Sequence, residues 1–177
     1  MRARGLVIGL MVLAIVVVLV LRRKETVESL GFTWAGGYQD GVATRGKRNN
    51  NPLNIRDVPG NNWKGRIGSD GAFVRFDTME NGFRAAVKIL VDDVLNDGNE
   101  TVSEIVNAWA PVGDGNNVDA YLGYISDSVG LAGDVVVDSV SRMSKLLKAM
   151  AYVESRVVIS QDVGANLVVR YGGSNFA

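Results

Sequence analysis

Lys64-Gly-Arg-Ile-Gly-Ser-Asp-Gly-Ala-Phe-Val-Arg-Phe-Asp-Thr-Met-Glu80 is the stretch on which the fold turns. Lys64 to Ile67 and Phe73 to Phe76 flank Gly68-Ser-Asp-Gly71, which supplies the turn residues of a β-hairpin. Directly after it, Thr78 offers a helix N-cap, and Glu80 puts a negative charge in the first turn, where it suits the helix dipole. Phe83, Val87, Leu90, Val91 and Val94 then recur at helical spacing and predict a helix over 79–96. Further helices are expected at 101–110, 117–129, 138–155 and 159–168. One small hairpin beside several helices predicts an α+β domain, mainly helical, over residues 45–177.

Upstream of that domain the texture changes. Residues 25–44 mix small and polar side chains with Phe32, Trp34 and Tyr38, and Gly31, Gly36, Gly37 and Gly41 interrupt any helical period, so a Gly-rich linker is expected there. Gly5 to Leu21 carries no charge over 17 residues. As a helix it would span roughly 25 Å, slightly short of a bilayer core, and flanking Arg and Lys can snorkel to cover the difference. The run ends in Arg22-Arg23-Lys24 rather than in small residues, which predicts an uncleaved single-pass anchor over residues 1–24 and not a signal peptide. Basic residues flank both sides, so the positive-inside rule gives no orientation.

Composition narrows the chemistry. With 177 residues, 47% apolar and 21% charged, the chain has room for one modest core. Five of its basic residues lie in 1–24 with no acids, leaving 14 basic against 19 acidic residues, a net of −5, for the rest. An acidic domain argues against nucleic acid as a partner, which needs a basic face; a lipid membrane is the better partner for the N-terminal collar. Cysteine and histidine are both absent. That removes thiol nucleophiles, Ser-His-Asp triads and the usual hydrolytic zinc sites, and no metal or organic cofactor is implied. Carboxylate glycosidase chemistry is compatible with what is left.

Several short motifs follow in order: Arg48-Asn-Asn-Asn-Pro-Leu-Asn-Ile-Arg56, Trp63-Lys-Gly65, Phe73-Val-Arg-Phe76, Gly82-Phe-Arg-Ala85, Trp109-Ala-Pro111, and Gly113-Asp-Gly-Asn-Asn117 with Tyr121. Together they resemble the virion-associated lytic transglycosylase-like proteins of bacterial viruses, within the lysozyme-like superfamily, over about residues 45–160. The first half is also similar to the cleft of bacterial N-acetylglucosaminidases. The resemblance implies a lysozyme-like fold and peptidoglycan glycan strands as substrate, with Asn117 and Tyr121 among the substrate-binding residues. It further implies a virion internal membrane or host inner membrane location with the domain facing the periplasm, other virion membrane proteins as neighbours, and a part in genome penetration or progeny release.

The residues themselves agree with a sugar site. Asn50, Asn51 and Asn54 carry amides that both donate and accept, suiting hydroxyls and N-acetyl groups, although an Asn-rich turn can equally satisfy its own backbone. Trp63 and Trp109 are either sugar-stacking platforms or core residues. Arg45, Lys47, Arg48, Arg56, Lys64 and Arg66 form a basic cluster that either meets lactyl-peptide carboxylates or is a solvated face.

Glycoside cleavage needs a carboxylic acid kept protonated near neutral pH. Glu154 follows Leu146, Leu147, Met150 and Val153 along one helix and should point towards that apolar stripe. It is the leading candidate acid, with a simple ion pair to Arg156 as the other reading. Glu28, in a second Val-Glu-Ser tripeptide, and Glu80 are rivals, the latter explained without chemistry by the helix N-terminus. With no clear second carboxylate, the family resemblance implies the lytic transglycosylase route to a 1,6-anhydro product. Asp70, Asp114 or Asp119 could position water instead, which keeps a true hydrolase open, either muramidase or glucosaminidase. A non-catalytic glycan-binding membrane protein of the virion is the alternative from a different class.

Overall fold

The computed structural model describes residues 34–173. The expected anchor at Gly5 to Leu21, the candidate Glu28 and residues 25–33 of the expected linker lie outside the described residues. Among the described residues no helix is long and apolar enough to cross a membrane.

The chain opens with strand β1 (Trp34–Gly36), the β-hairpin β2 (Tyr38–Gln39) and β3 (Val42–Ala43), and a single helical turn α1 (Arg45–Arg48). The long loop that follows, holding the Asn run, leads into strands β4 (Arg66–Ser69) and β5 (Val74–Phe76). Helices α2 (Met79–Leu95), α3 (Val102–Trp109), α4 (Val118–Val129) and α5 (Val140–Ser155) come next, then β6 (Val157–Ile159) and α6 (Gln161–Tyr171). Among the described residues three two-stranded antiparallel sheets result, pairing β1 with β6, β2 with β3 and β4 with β5. The fold class is α+β, as the alternation of one hairpin and several amphipathic segments predicts.

Local chemistry explains why the helices begin where they do. Thr78, Thr101, Asn117, Ser139 and Ser160 each accept a hydrogen bond from a backbone N–H three residues on, satisfying an otherwise orphaned donor. Thr101 and Glu104 complete a reciprocal capping box. The expected hairpin is shifted by about two residues. Gly68 and Ser69 belong to strand β4, and Asp70 closes the turn by accepting from the N–H groups of Ala72 and Phe73.

Helix α5 is the centre of the packing, with α1, α4, α6 and β6 against it. Its Met143, Leu146, Leu147 and Met150 are fully buried, together with Phe76, Phe83, Leu90, Ile105, Ile125 and Ile159 from the surrounding elements.

Residues 34–44 correct the linker expectation: they fold. Trp34 pairs with Ile159 and Gly36 with Val157, so this segment completes a sheet whose other strand follows α5 directly. Gly36 lies at φ 76°, and a Cβ there would sit 2.3 Å from the Arg156 carbonyl oxygen. Gly36, Gly37 and Gly41, which read as flexibility, serve tight turns and close backbone approach. Thr44 fastens the same segment to α5 by donating to the Ser155 carbonyl at 2.8 Å while its oxygen caps α1.

Candidate functional site

Glu154 occupies the last turn of α5, two residues before the chain turns left-handed at Arg156. Its carboxyl is half-buried and has two partners from distant parts of the chain. The Tyr121 hydroxyl donates to Oε1 at 3.3 Å, and the Asn54 amide donates to Oε2 at 3.1 Å and to the Glu154 carbonyl at 2.9 Å. Asn54 stands at φ 51°, and its Oδ1 is buried without a protein partner.

Burial raises the Glu154 pKa above the ordinary carboxyl value, while the Asn54 and Tyr121 hydrogen bonds pull it back only in part. Tyr121 is itself buried, and burial first, then the Glu154 charge, push its phenol well above the usual value, so it stays a donor. No ion pair forms between Glu154 and Arg156 among the described residues, which removes the simple pairing weighed for this Glu. A paired cation would have held the carboxyl ionised.

Three hollows have Glu154 on their walls. One, of about 310 Å³, is walled by Asn54, Arg56, Phe73, Trp109, Asp114 and Asn116. A second, of about 440 Å³, lies between Glu154 and the β2–β3 hairpin from Gln39 to Arg45. The third, of about 370 Å³, is bounded by Asn116, Asn117, Tyr121, Tyr124 and Arg156. Each falls within the roughly 300–1,000 Å³ typical of small-ligand sites. Glu154 lines all three, so a chain laid along this face would pass over it.

The remaining residues expected at the site divide. Asn54, Arg56, Asn117 and Tyr121 line these hollows. Asn117 also caps α4, and Arg56 pairs with Asp114 at 2.9 Å.

Asn51 is not available as a ligand. It is completely buried, donates to the Ile55 and Val74 carbonyls at 2.9 Å each, and accepts from the Ile55 N–H at 2.8 Å. Asn50 stands at φ 50° and donates to the Phe76 and Asp77 carbonyls, which ties the loop to the end of β5. For these two the backbone-satisfying alternative holds.

Trp63 faces a separate hollow with Lys88 and Tyr171 and is on none of the walls of the three hollows described at Glu154. Glu80 is on the first turn of α2, paired with Arg170 at 2.9 Å and hydrogen-bonded to Tyr171, and lines none of the hollows at Glu154.

The basic cluster is largely engaged within the protein. Arg45 binds Asp70, Arg66 binds Asp57, Lys47 donates to the Gly36 carbonyl and Arg48 to the Ala43 carbonyl. Asp70 is likewise committed: the Asn49 amide, then the Phe73 N–H, hold it well below the usual carboxylate range. Of the three aspartates that could position water, Asp114 shares a hollow with Glu154, and Asp70 and Asp119 are on none of these three walls.

Sequence reasoning did not single out Tyr124, Tyr152 or the β2–β3 hairpin. The two tyrosines stack at 5.1 Å with 9° between their planes. Their spacing across two helices left no sequence signal, whereas Asn116 was legible as the neighbour of Asn117.

This chain is homologous to a bacteriophage protein. Over 93 residues it is 34% identical to Protein P5 of Pseudoalteromonas phage PM2, a match that takes in 50% of this chain and 58% of P5. The chain thus spans less than two thirds of that relative's length. No family model matches it.

Proposed function

We propose that this chain cleaves the glycan strands of peptidoglycan at the β-1,4 bond between N-acetylmuramic acid and N-acetylglucosamine, with Glu154 as the general acid. One observation carries the reading: the residue that lines all three hollows carries a half-buried carboxyl, raised in pKa by its burial, with a phenol and an amide on its two oxygens. A carboxyl of that kind keeps a proton at pH values where an exposed one has lost it, and can give it to the bridging oxygen as the glycosidic bond breaks.

The lytic transglycosylase route then uses the same group twice. The carboxylate left after proton donation removes the proton of the muramoyl 6-hydroxyl, and that oxygen closes the 1,6-anhydro ring on the anomeric carbon. Resemblance to the lysozyme-like transglycosylases of bacterial viruses supports this route, and homology to a phage protein supports a virion setting. Under the same reading residues 1–24 anchor the domain in the virion's internal membrane or the host inner membrane, facing the periplasm, where it opens the wall during genome penetration or progeny release.

Hydrolysis is the second reading, favoured by Asp114, a carboxylate on the same hollow wall as Glu154 that could orient water. Mass spectrometry of purified peptidoglycan digested by the protein separates the routes. Anhydromuropeptides are expected from the parent and none from a folded Glu154→Gln variant. Products with reducing ends would make it a hydrolase. Binding without any product would make it a glycan-binding protein.

A further inference from the structure

The backbone conformation at Arg156 does not call for an arginine. It follows α5 at φ 55° and ψ 20°, the left-handed conformation that glycine occupies most readily after a helix. The backbone there is used: the Arg156 N–H closes the helix and its carbonyl accepts from the Gly37 N–H at 2.7 Å. Neither bond needs a side chain, and a glycine would make both with less strain.

The residue sits at the cleft. Arg156 lines two of the three hollows that Glu154 lines, one towards the β2–β3 hairpin and one towards Asn116 and Tyr121. Its guanidinium lies 5.0 Å over the Tyr152 ring, whose other neighbour is the stacked Tyr124, so the cation is held in a set position.

The three hollows have three cations on their walls: Arg45, Arg56 and Arg156. Arg45 is paired with Asp70 and Arg56 with Asp114, each at 2.9 Å. Arg156 has no carboxylate within ion-pair distance among the described residues. A planar guanidinium, pre-positioned and unpaired beside the acid, is suited to bind a carboxylate through two parallel hydrogen bonds.

We propose that Arg156 is a specificity-determining residue that binds a carboxylate carried by the glycan, the lactyl or stem-peptide group of the muramoyl unit, and so sets which sugar lies on which side of Glu154. The assignment rests on the glycan-cleaving function proposed above. It moves carboxylate recognition from the basic cluster at 45–66, whose Arg45, Arg56 and Arg66 are paired internally, to a cation at the acid itself.

The test compares soluble glycan strands bearing free carboxylates with the same strands after amidation, using the full chain, R156G and R156K. The parent should prefer the free-carboxylate strands. In R156G the ratio of kcat/KM between the two strands should fall roughly tenfold or more, the effect of one lost charged hydrogen-bonded pair, mainly through KM. R156K should keep part of the preference. R156G relieves the left-handed strain while giving up the contact with the Tyr152 ring, so its Tm should stay close to the parent's, which separates lost recognition from lost fold.

Overturning results are an unchanged preference in R156G, or an equal fall in kcat on both strands. Calorimetric binding of the two strands to E154Q and to E154Q/R156G gives a readout without turnover. If the parent cleaves nothing but E154Q prefers free-carboxylate strands through Arg156, the cleavage reading fails and this one stands. If E154Q binds neither strand, or both equally, the Arg156 assignment is wrong.

Discussion

Replacing Asn51 with alanine should unfold the protein far more readily without acting on substrate binding. The side chain has no exposure to solvent and makes three hydrogen bonds, to the Ile55 and Val74 carbonyls and from the Ile55 N–H. At about 1 kcal/mol net for each, their loss costs about 3 kcal/mol, and stranding a buried N–H adds about 1–2 kcal/mol. The Ile55 carbonyl keeps a second donor, the Val74 N–H at 3.0 Å, so it adds no such penalty. The total is about 4–5 kcal/mol. For a domain of this size that corresponds to a fall in Tm of roughly 12–20 °C.

Urea denaturation followed by circular dichroism gives the free energy, and KM measured on glycan strands well below the transition separates the two roles. A loss under about 1 kcal/mol combined with a tenfold rise in KM would refute the structural assignment and return Asn51 to the substrate.

Three further substitutions test the same geometry. Glu154→Gln should lower turnover by about 10²–10⁴-fold, the usual worth of a general acid. Because burial raises the Glu154 pKa on folding, its contribution to stability is greatest below the unfolded-state pKa and is lost as pH rises through the folded one. The glutamine variant should therefore gain Tm relative to the parent as pH rises, and a constant difference from acid to alkaline pH would contradict the burial argument. Tyr121→Phe removes a donor that lowers the Glu154 pKa, so the alkaline limb of the pH–rate profile should move to higher pH, with a stability loss of about 1 kcal/mol; a shift to lower pH would mean the phenol acts otherwise. Gly46→Ala would place a Cβ 1.8 Å from Ser155 Oγ and 2.7 Å from the Asn51 carbonyl. Forcing α1 from the end of α5 should cost about 1–3 kcal/mol and lower turnover by displacing the neighbouring Glu154, and wild-type Tm and rate would show that this contact is not tight.

The hairpin and helices were legible because each depends on signals within one turn or one strand. Thr78, Thr101 and Ser160 are caps wherever an amphipathic run follows them, and the expected helix over 79–96 matches Met79–Leu95 closely. Glu154 and Tyr121 could be singled out because helical periodicity directs one towards an apolar stripe and the ordered motifs mark the other. Residues 34–44 were misread for the opposite reason. Nothing in three glycines and a few aromatics says that a partner strand waits more than a hundred residues later, and β1 exists only because β6 supplies its hydrogen bonds.

The Asn run shows the same division most sharply. By itself the sequence determined that Asn50, Asn51 and Asn54 sit in one tight loop rich in donors and acceptors, since those amides and Pro52 allow little else. Which amide faces the backbone and which faces the acid was decided only by tertiary structure. Asn51 is enclosed between the Ile55 and Val74 carbonyls, Asn50 is spent on the end of β5, and Asn54 meets a glutamate a hundred residues away because α5 ends beside that loop. An amide's chemistry is a property of the residue, but its partner is a property of whatever the rest of the chain packs against it.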